Sequence, residues 1–553
     1  MAGRIDAREL ARRVATVLDP RMGMAVARTG VITPRRAAAA WLASPWLVGR
    51  GASLGILSHI NALDSPSRPA IHDRAGTLTW RQVEDRSTRL ARALERLGLG
   101  SDATVATLVR NGREAVEAIL AAQKLGITVA PLNTWGRAGE LAELLERLRP
   151  QVLVADPAHA RPMAGAIPER TAVVPTGEQY ENLLAAESGL PLFPLAVPRR
   201  HGLIVIHTSG TTGTPKAAAR SARSSGPLAV AGLLATLPVR RGDVMVCPAP
   251  LFHSFGLLVV SLAGAVGGTL VLPEKFDPRD ILRLIAEHDA EVVALVPVML
   301  RRILDLPARQ RTPKPEGLRA VLVSGSAMSP ELRAETQELF GEVLYDLYGS
   351  TEGGWVAVAT PEDIAADPRT AGRPVRGVEV AVFDDDGNRL DPGRSGTLHV
   401  RSDALFEGYQ SGESSPEREG FLSMGDLGKL DERGRLFVEG RADDMVVVGG
   451  ENVYPAEVER VISKARGVHD AAVVGVPDRE YGHTLAAFVV GTAKPEAIEA
   501  AARRDLASFK VPRTIRMVDE LPRTSTGKVL RRELESRLEE DESRKGRRTG
   551  SRG

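Results

Sequence analysis

The stretch IVIHTSGTTGTPKAAAR, from Ile204 to Arg220, joins two kinds of sequence. An apolar run typical of a buried strand is followed by residues that are nearly all Ser, Thr and Gly, and these end at Pro215 and Lys216. Glycine permits positive φ angles and close approach of the backbone, so N–H groups in such a turn can converge on an anion. The stretch therefore predicts a strand and a phosphate-binding loop, although a solvated surface loop has a similar composition.

Two common phosphate-binding motifs do not fit this loop. The P-loop pattern G-x-x-x-x-G-K-S/T needs more widely spaced glycines than Gly210 and Gly213, and Ala217 rather than Ser or Thr follows Lys216. The dinucleotide pattern G-x-G-x-x-G is absent too, because GRGASLG from Gly49 has another spacing and no strand leads into it.

Helical and extended patterns alternate on both sides of the loop. VEDRSTRLARALERLGL from Val83 has apolar residues at helical spacing, and TVAPLN from Thr128 has the composition of a strand. Strands that alternate with helices predict α/β architecture, with parallel sheets covered by helices. From Gly377 the pattern changes to β-rich runs broken at Asp-Gly and Arg-Gly turns, which predict hairpins of an antiparallel sheet. From Arg441 a smaller α+β unit is predicted.

These patterns predict four parts of the chain, in keeping with a length of 553 residues that exceeds one ordinary domain. The parts are an N-terminal extension (1–64), a large domain of several subdomains (65–440), a small mobile C-terminal domain (441–537) and a basic, disordered tail (538–553).

Charge and cysteine content restrict the function classes. Lys+Arg 72 against Asp+Glu 70 gives +2, which does not favour nucleic acid as a partner. The one cysteine, Cys247, allows no internal disulfide and favours a reducing compartment, so a cytoplasmic location is expected.

The N-terminal extension contains the most apolar run, AAAAWLASPWLVG from Ala37 to Gly49, which is too short for a membrane span and is broken by Pro45. A helix packed on its own protein is the favoured interpretation. The alternative is a peripheral membrane contact through Trp41, Leu42, Trp46 and Leu47.

Seven motifs along the chain resemble, in order, those of the adenylate-forming superfamily, which includes acyl-CoA synthetases, adenylation domains and firefly-type luciferases. The resemblance covers roughly Ser65 to Leu534 and is strongest to fatty acyl-CoA synthetases. The motifs are TSGTTGTPK, LFHSFGL from Leu251, VSGSAMSP from Val323, YGSTE from Tyr348, MGDLGKLDERGRL from Met424, GRADDMVVVGGENVYP from Gly440 and LPRTSTGKVLRREL from Leu521.

The resemblance implies a reaction in two steps. A carboxylate attacks the α-phosphate of ATP to give an acyl-adenylate and pyrophosphate, and a thiol then attacks the acyl carbon while AMP leaves. Both steps depend on neutralising charge around phosphate. The implied cofactors are ATP, Mg²⁺ and coenzyme A as co-substrate.

The resemblance also implies which residues bind the nucleotide. Lys528 is the adenylation lysine, Glu352 the Mg²⁺ ligand and Thr351 the contact to the α-phosphate. Tyr348 stacks on adenine, while Asp426 binds the ribose hydroxyls with help from Arg441. The further nucleotide-binding residues are Thr208, Ser209, Gly210, Thr211, Thr212, Gly213 and Lys216 at the β- and γ-phosphates, Gly325, Ser326 and Ala327 beside the adenine, and Gly349 and Ser350 in YGSTE.

The resemblance assigns further residues to the hinge between the domains, to the binding of the thiol and to the acyl pocket. Asp443 corresponds to the hinge between the domains, and Gly449 and Gly450 leave room for a pantetheine arm. His253, Gly353 and Gly354 belong to the acyl pocket, although His253 could instead be a structural histidine.

Two positions depart from the family pattern. Ala217 follows the loop lysine where glycine is usual, and Met424 precedes the Gly-Asp pair where threonine is common. Either change could weaken contacts to ATP.

The sequence therefore predicts an ATP-dependent acid:CoA ligase for a lipophilic, fatty-type carboxylate. A first alternative is an acyl-AMP ligase that delivers its product to a separate carrier protein. A second is a non-catalytic acyl- or nucleotide-binding relic. The predicted partners are the small-molecule acid, ATP and CoA.

Overall fold

The computed structural model describes most of the chain between Pro20 and residue 538. The described residues are 20–44, 53–136, 138–187, 202–208, 216–221, 227–310, 316–350, 353–402, 417–441, 446–448, 451–478, 482–524 and 527–538. Within these ranges only the backbone is described at 20–22, 207–208, 216–221, 227–229, 309, 447, 451–452 and 482.

The largest sheet contains nine strands and is mostly parallel. Its strands are β1 (Pro69–Asp73), β2 (Gly76–Thr79), β9 (Val244–Val246), β10 (Thr269–Val271), β11 (Val292–Leu295), β12 (Ala320–Val323), β13 (Leu344–Ser350), β14 (Gly354–Ala359) and β15 (Arg373–Pro374). They follow the order β15-β14-β13-β12-β11-β9-β10-β1-β2. The strands from β13 to β1 pair in parallel, whereas β2, β14 and β15 pair antiparallel at the two edges.

A second sheet has six strands in the order β6-β5-β3-β4-β7-β8. These are β3 (Thr104–Leu108), β4 (Thr128–Pro131), β5 (Val152–Ala155), β6 (Ala172–Pro175), β7 (Leu203–Thr208) and β8 (Lys216–Ser221). All neighbours are parallel except β7 and β8, which form an antiparallel edge pair.

Helices cover these two sheets, as the alternating patterns predict. They span Leu54–Asp64, Trp80–Arg96, Arg113–Leu125, Ala138–Leu148, Pro157–Ala160, Glu178–Ala185, Pro227–Thr236, Ser254–Val266, Pro278–Glu287, Pro297–Leu304, Pro330–Phe340 and Pro361–Ala366. The helix predicted from Val83 begins earlier, at Trp80, because Thr79 and Gln82 form a capping box there. One large apolar cluster, which includes Leu90, Val105, Val246 and Val293, joins residues of both sheets.

The third sheet is antiparallel and confirms the predicted hairpins. It contains β16 (Val378–Phe383), β17 (Gly396–Ser402), β18 (Glu417–Arg418), β19 (Phe421–Leu430) and β20 (Leu436–Arg441). The order is β16-β17-β19-β18, and β20 also pairs with β19.

The C-terminal part has its own sheets and its own apolar clusters. The strands are β21 (Val446–Val448) paired with β22 (Glu451–Val453), and β23 (Val468–Asp478), β24 (Gly482–Gly491) and β25 (Thr514–Met517) in a second sheet. Its helices span Pro455–Ile462, Pro495–Asp505 and 531–538. Val473 and Leu485 are buried in one cluster, while Val474 and Ala486 are buried in another, because successive side chains of a strand point to opposite faces. The predicted class, with parallel sheets, an antiparallel sheet and a small C-terminal α+β part, is confirmed. The boundary at 441–444 stays a prediction, since residues 442–445 lie outside the described residues.

Two short helices, Pro20–Arg28 and Pro34–Leu42, precede the α/β part. The second packs on the protein: the Arg36 guanidinium donates to Asn61 Oδ1 at 2.8 Å and to the Ala265 carbonyl at 2.7 Å, and Ala39 is buried with Ile56. Trp46 and Leu47 lie outside the described residues. None of the helices in the described ranges is both long and apolar enough to cross a membrane.

Candidate active site

The glycine-rich loop connects β7 with the edge strand β8. Thr208 pairs with Lys216, so the connection leaves and rejoins the sheet at the carboxyl end of β7. Loops at the carboxyl ends of parallel strands are where α/β proteins gather ligand-binding groups. The backbones of Thr208 and Lys216 occupy this edge, whereas Ser209, Gly210, Thr211, Thr212 and Gly213 lie outside the described residues.

The segment Gly325, Ser326 and Ala327 follows the carboxyl end of β12 in the nine-stranded sheet. Gly325 has a φ of +101°, a conformation that favours glycine. The hydroxyl of Ser324, the residue before Gly325, donates to the Leu347 carbonyl at 2.8 Å. This hydrogen bond joins the start of the segment to β13. Tyr348 is the next residue of β13, so the predicted adenine-binding residues are neighbours in the structure.

Tyr348, Asp426 and Arg441 form a connected polar group. The Tyr348 hydroxyl donates to Asp426 Oδ2 at 2.5 Å, and Arg441 Nη1 donates to Asp426 Oδ1 at 3.2 Å and to the Met424 carbonyl at 3.1 Å. Asp426 and Arg441 are opposite each other on β19 and β20 because a β-bulge between Leu427 and Gly428 shifts the register by one residue.

The electrostatics of this group reflect burial. Asp426 is 8% exposed, and burial raises the pKa of its carboxyl, while Arg441, the Tyr348 hydroxyl and Lys528 act in the opposite sense. Burial and the neighbouring Asp426 raise the pKa of Tyr348 well above its usual value. The phenol therefore stays protonated and donates, and the carboxyl group keeps lone pairs that can accept from further hydroxyl groups.

The YGSTE motif lies where β13 turns into β14. Ser350 pairs with Gly354, and Gly354 has a φ of +73°. Gly349 is required by close packing, since a Cβ atom there would lie 2.1 Å from the Gly354 carbonyl oxygen. The Gly353 N–H donates to Ser350 Oγ at 2.9 Å. Thr351 and Glu352 lie outside the described residues, between these two strands.

Met424, the departure from the family pattern, packs against Gly353. A Cβ atom at Gly353 would lie 2.4 Å from Met424 Sδ and 3.2 Å from Val400 Cγ1, and Met424 is itself buried. The methionine thus fills the space beside Gly353, the residue after Glu352 in the sequence, a contact that the sequence did not indicate.

We expect Gly353→Ala to disturb this turn. The added methyl group overpacks the contact with Met424, which should cost about 1–3 kcal/mol of stability and slow pyrophosphate exchange at least several-fold. Adding Met424→Ala should restore much of both, because the second change returns the lost space. Melting curves and ATP–pyrophosphate exchange measure the outcome. Gly317→Ala is the matched control, since a Cβ atom there meets only the Asp289 carbonyl oxygen at 3.8 Å. Equal losses in the single and double variants would contradict the packing argument.

Lys528 is exposed on a short loop of the C-terminal part. Its N–H donates to Thr524 Oγ1 at 3.1 Å, and the Thr524 N–H donates to the Lys528 carbonyl at 2.7 Å. The preceding residue, Gly527, lies close to Ser326 in the segment predicted to bind adenine. A Cβ atom at Gly527 would be 3.1 Å from Val298 Cγ1 and 3.9 Å from Ser326 Oγ. The charge of Lys528 is near enough to lower the pKa of Asp426. The structure therefore brings Lys528 to the same site as Ser326 and Asp426.

Arg523 binds the loop that carries Lys528 and connects it to β23. This role was not predicted from the sequence. The Arg523 guanidinium donates to the Gly527 carbonyl and, at 2.5 Å, to Asp470 Oδ2 on β23. The residue lies within the quoted motif, but its partner is 53 residues away in sequence, so no local signal indicated the contact.

His253 begins the helix Ser254–Val266 and belongs to a series of aromatic rings. Its ring centroid is 4.5 Å from that of Phe252, and Phe252 in turn contacts Trp135 edge-on at 6.0 Å. In the same helix, the ring centroid of Phe255 lies 6.1 Å from that of Trp355, the residue after Gly354 on β14. Burial lowers the pKa of His253 to about 4, so the imidazole is neutral at pH 7. The sequence did not indicate Trp135.

The predicted hinge and thiol-facing residues cannot be placed. Asp443, Gly449 and Gly450 lie outside the described residues, although Val448 and Glu451 on either side of the two glycines pair between β21 and β22.

The fold and these residues define the class of adenylate-forming enzymes. The chain belongs to the AMP-binding enzyme family: residues 59–410 match that family, and residues 457–528 match the AMP-binding enzyme C-terminal domain. Enzymes of this family are ligases that use ATP with Mg²⁺, and its acyl-CoA ligases use CoA as co-substrate.

Three similar proteins illustrate the range of the family. The fatty acid–acyl-carrier-protein ligase ScoC of Streptomyces coeruleorubidus is 31% identical over 507 residues, which cover 88% of this chain and 96% of ScoC. The 2-succinylbenzoate–CoA ligase of Bacillus pumilus is 30% identical over 480 residues, covering 86% and 96% of the two chains. The structure of o-succinylbenzoate CoA synthetase from Bacillus subtilis in complex with its acyl-adenylate intermediate aligns with a TM-score of 0.77 at 27% identity, covering 86% and 97%.

Proposed function

We propose that the protein is an ATP-dependent acid:CoA ligase that activates a lipophilic, fatty-type carboxylate through an acyl-adenylate. The observation that carries this proposal is the meeting of Tyr348, Asp426 and the Lys528 loop beside Ser326, which joins nucleotide-binding groups from both parts of the chain.

The described residues fit a bound adenosine nucleotide. In this proposal the adenine ring binds between Tyr348 on β13 and the segment Gly325, Ser326 and Ala327, which follows the neighbouring strand β12 of the same sheet. Asp426, positioned by Arg441 and Tyr348, accepts from the ribose hydroxyls, which are donors suited to a carboxylate. The Lys528 ammonium group supplies positive charge where pyrophosphate departs.

The remaining roles rest on the family motifs. The loop from Thr208 to Lys216, with Ser209, Gly210, Thr211, Thr212 and Gly213, binds the β- and γ-phosphates, Thr351 contacts the α-phosphate and Glu352 holds Mg²⁺. When bound, Mg²⁺ neutralises phosphate charge during the transfer. Asp443 is the hinge that lets the C-terminal part turn, and Gly449 and Gly450 then admit the pantetheine arm of CoA.

The aromatic rings support a lipophilic acid. Two aromatic pairs, His253 with Phe252 and Phe255 with Trp355, lie at the start of one helix and on β14. Because burial keeps His253 neutral, these pairs add no positive charge that would select a second carboxylate on the substrate. Aromatic and apolar surface favours an alkyl or aryl acyl group.

A second candidate function is that of an acyl-AMP ligase that delivers the acyl group to a carrier protein. It is favoured by the similarity to ScoC, whose name gives an acyl carrier protein as the acceptor and which is 31% identical to this chain. The two candidates share the first half-reaction and differ in the second.

A panel of acids decides between them. Fatty, aryl and short dicarboxylic acids are each incubated with ATP and Mg²⁺, with or without CoA, and AMP, acyl-adenylate, thioester and ATP–pyrophosphate exchange are measured. We expect CoA to accelerate AMP release and a thioester to form with lipophilic acids. Adenylate without thioester, together with acylation of an added phosphopantetheinyl carrier protein, would support the second candidate instead. Absence of acid-dependent pyrophosphate exchange across the panel would indicate the non-catalytic alternative.

A further inference from the structure

The exposed side of the two N-terminal helices is unusually apolar. In the helix Pro34–Leu42, Arg36 and Ala39 face the protein, while Trp41 is 75% and Leu42 57% exposed. Ile32 just before this helix is 68% exposed, and Met24 of the preceding helix 56%. The outward side of a surface helix is normally polar. We call these four exposed apolar residues, with the exposed Arg28 and Arg35, the N-terminal face.

Hydrogen bonds join the segment of the N-terminal face to the rest of the protein. Arg36 bonds to Asn61 and to the Ala265 carbonyl, and the Asn61 amide donates to the Gly264 carbonyl at 2.8 Å. The Arg241 N–H donates to the Thr29 carbonyl at 2.6 Å, between the two helices. The helix Pro34–Leu42 is therefore bound to the protein through Arg36 and Ala39, while Trp41 and Leu42 remain exposed.

The charged residues of the N-terminal segment itself have one sign, histidine aside. The chain as a whole is nearly balanced, with Lys+Arg 72 and Asp+Glu 70, but no Asp or Glu occurs from Pro20 to Leu63. The charged residues of that range apart from histidine are Arg21, Arg28, Arg35, Arg36 and Arg50. A basic surface with tryptophan and aliphatic residues is complementary to the interface of an anionic bilayer, where indole rings lie among headgroups.

We propose that the N-terminal face binds peripherally to bilayers that contain anionic lipids. Trp41, Leu42 and Ile32 enter the headgroup region, and Arg28 and Arg35 contact lipid phosphates. A second copy of the chain fits less well, because a symmetric contact would bring the arginines of two faces together, and the segment from Pro20 to Leu63 contains no Asp or Glu to pair with them. The proposal does not depend on which acid the enzyme activates.

Vesicle co-sedimentation of the full chain tests this proposal. Vesicles of phosphatidylcholine alone are compared with vesicles of equal parts phosphatidylcholine and phosphatidylglycerol. We expect the protein to sediment with the anionic vesicles and to be released by added salt. The double variant Trp41→Ser, Leu42→Ser should lose most of the binding, and Arg28→Gln, Arg35→Gln should weaken it on anionic vesicles.

The controls use exposed residues elsewhere on the protein. Leu97 and Val173 are 50% and 40% exposed, so Leu97→Ser, Val173→Ser removes exposed apolar side chains outside the N-terminal face and should bind like the parent. Arg81→Gln, Arg279→Gln, at exposed positions of other helices, is the control for charge. Melting curves and pyrophosphate exchange should be unchanged in every variant, since none of these side chains contacts the active site.

Three results would overturn the proposal. Equal binding to both kinds of vesicle would remove the anionic preference, and unchanged binding of the Trp41→Ser, Leu42→Ser variant would show that another surface is responsible. A dimer in light scattering that this variant converts to a monomer, with no vesicle binding by either protein, would assign the N-terminal face to a second copy.

Discussion

Lys528→Ala is expected to reduce acyl-adenylate formation by about 100-fold or more, the loss that follows from removing a positioned charge worth roughly 3 kcal/mol. Lys528 is exposed, yet its loop contacts Val298 and lies near Ser326, and its charge acts on Asp426. In the proposed mechanism the lysine stabilises departing pyrophosphate. Thioester formation from supplied acyl-AMP releases no pyrophosphate, so that half-reaction should continue near the unmutated rate.

The two half-reactions are measured separately on the same preparation. Pyrophosphate exchange reports the first, and thioester formation from synthetic acyl-AMP and CoA reports the second. Lys464→Ala, an exposed lysine of the same C-terminal part, is the matched control and should leave both rates unchanged. If Lys528→Ala slows both half-reactions equally, the lysine does not act specifically on pyrophosphate release.

Asp426→Asn is expected to raise the KM for ATP by roughly 100-fold, because hydrogen bonds to a charged group contribute about 1.5–3 kcal/mol each. The substitution keeps the shape of the side chain but removes its charge, which leaves the half-buried Arg441 guanidinium without its carboxylate. Since the ribose remains bound in the acyl-adenylate, affinity for supplied acyl-AMP should fall as well. This pattern, a loss of nucleotide affinity in both half-reactions, differs from that expected for Lys528→Ala.

Substitution of Glu439, a carboxylate of the same antiparallel sheet, is the control for a general loss of stability in that sheet. Glu439 lies on β20 and pairs with Lys429 at 3.2 Å, with both side chains 37% exposed. Exposed pairs contribute about 0–1 kcal/mol, so Glu439→Gln should change neither KM nor melting temperature appreciably. An Asp426→Asn protein that melts like the parent and keeps its KM for ATP would exclude Asp426 from nucleotide binding.

Much of the fold could be predicted because its signals are local. The helix that begins at Trp80 and the buried strand β7 follow from apolar spacing within their own segments. The antiparallel edges of the two large sheets could not be predicted in this way. β8 pairs back on β7, and β14 on β13, although both strands occur within a chain whose neighbouring patterns favour parallel pairing.

The sequence by itself determined the residue types of the predicted site: a glycine-rich loop ending at Lys216 and predicted to bind phosphate, a tyrosine and a carboxylate predicted to bind the nucleoside, and a lysine on a glycine-flanked loop. Only the tertiary structure decided which of them meet. Tyr348 reaches Asp426 across 78 residues of sequence. Asp426 faces Arg441 because of the bulge after Leu427; without it the register of the hairpin would place Gly440 opposite. A shift of one residue turns side chains to the other face of a strand, and sheet register depends on packing along the whole strand rather than on the motif itself.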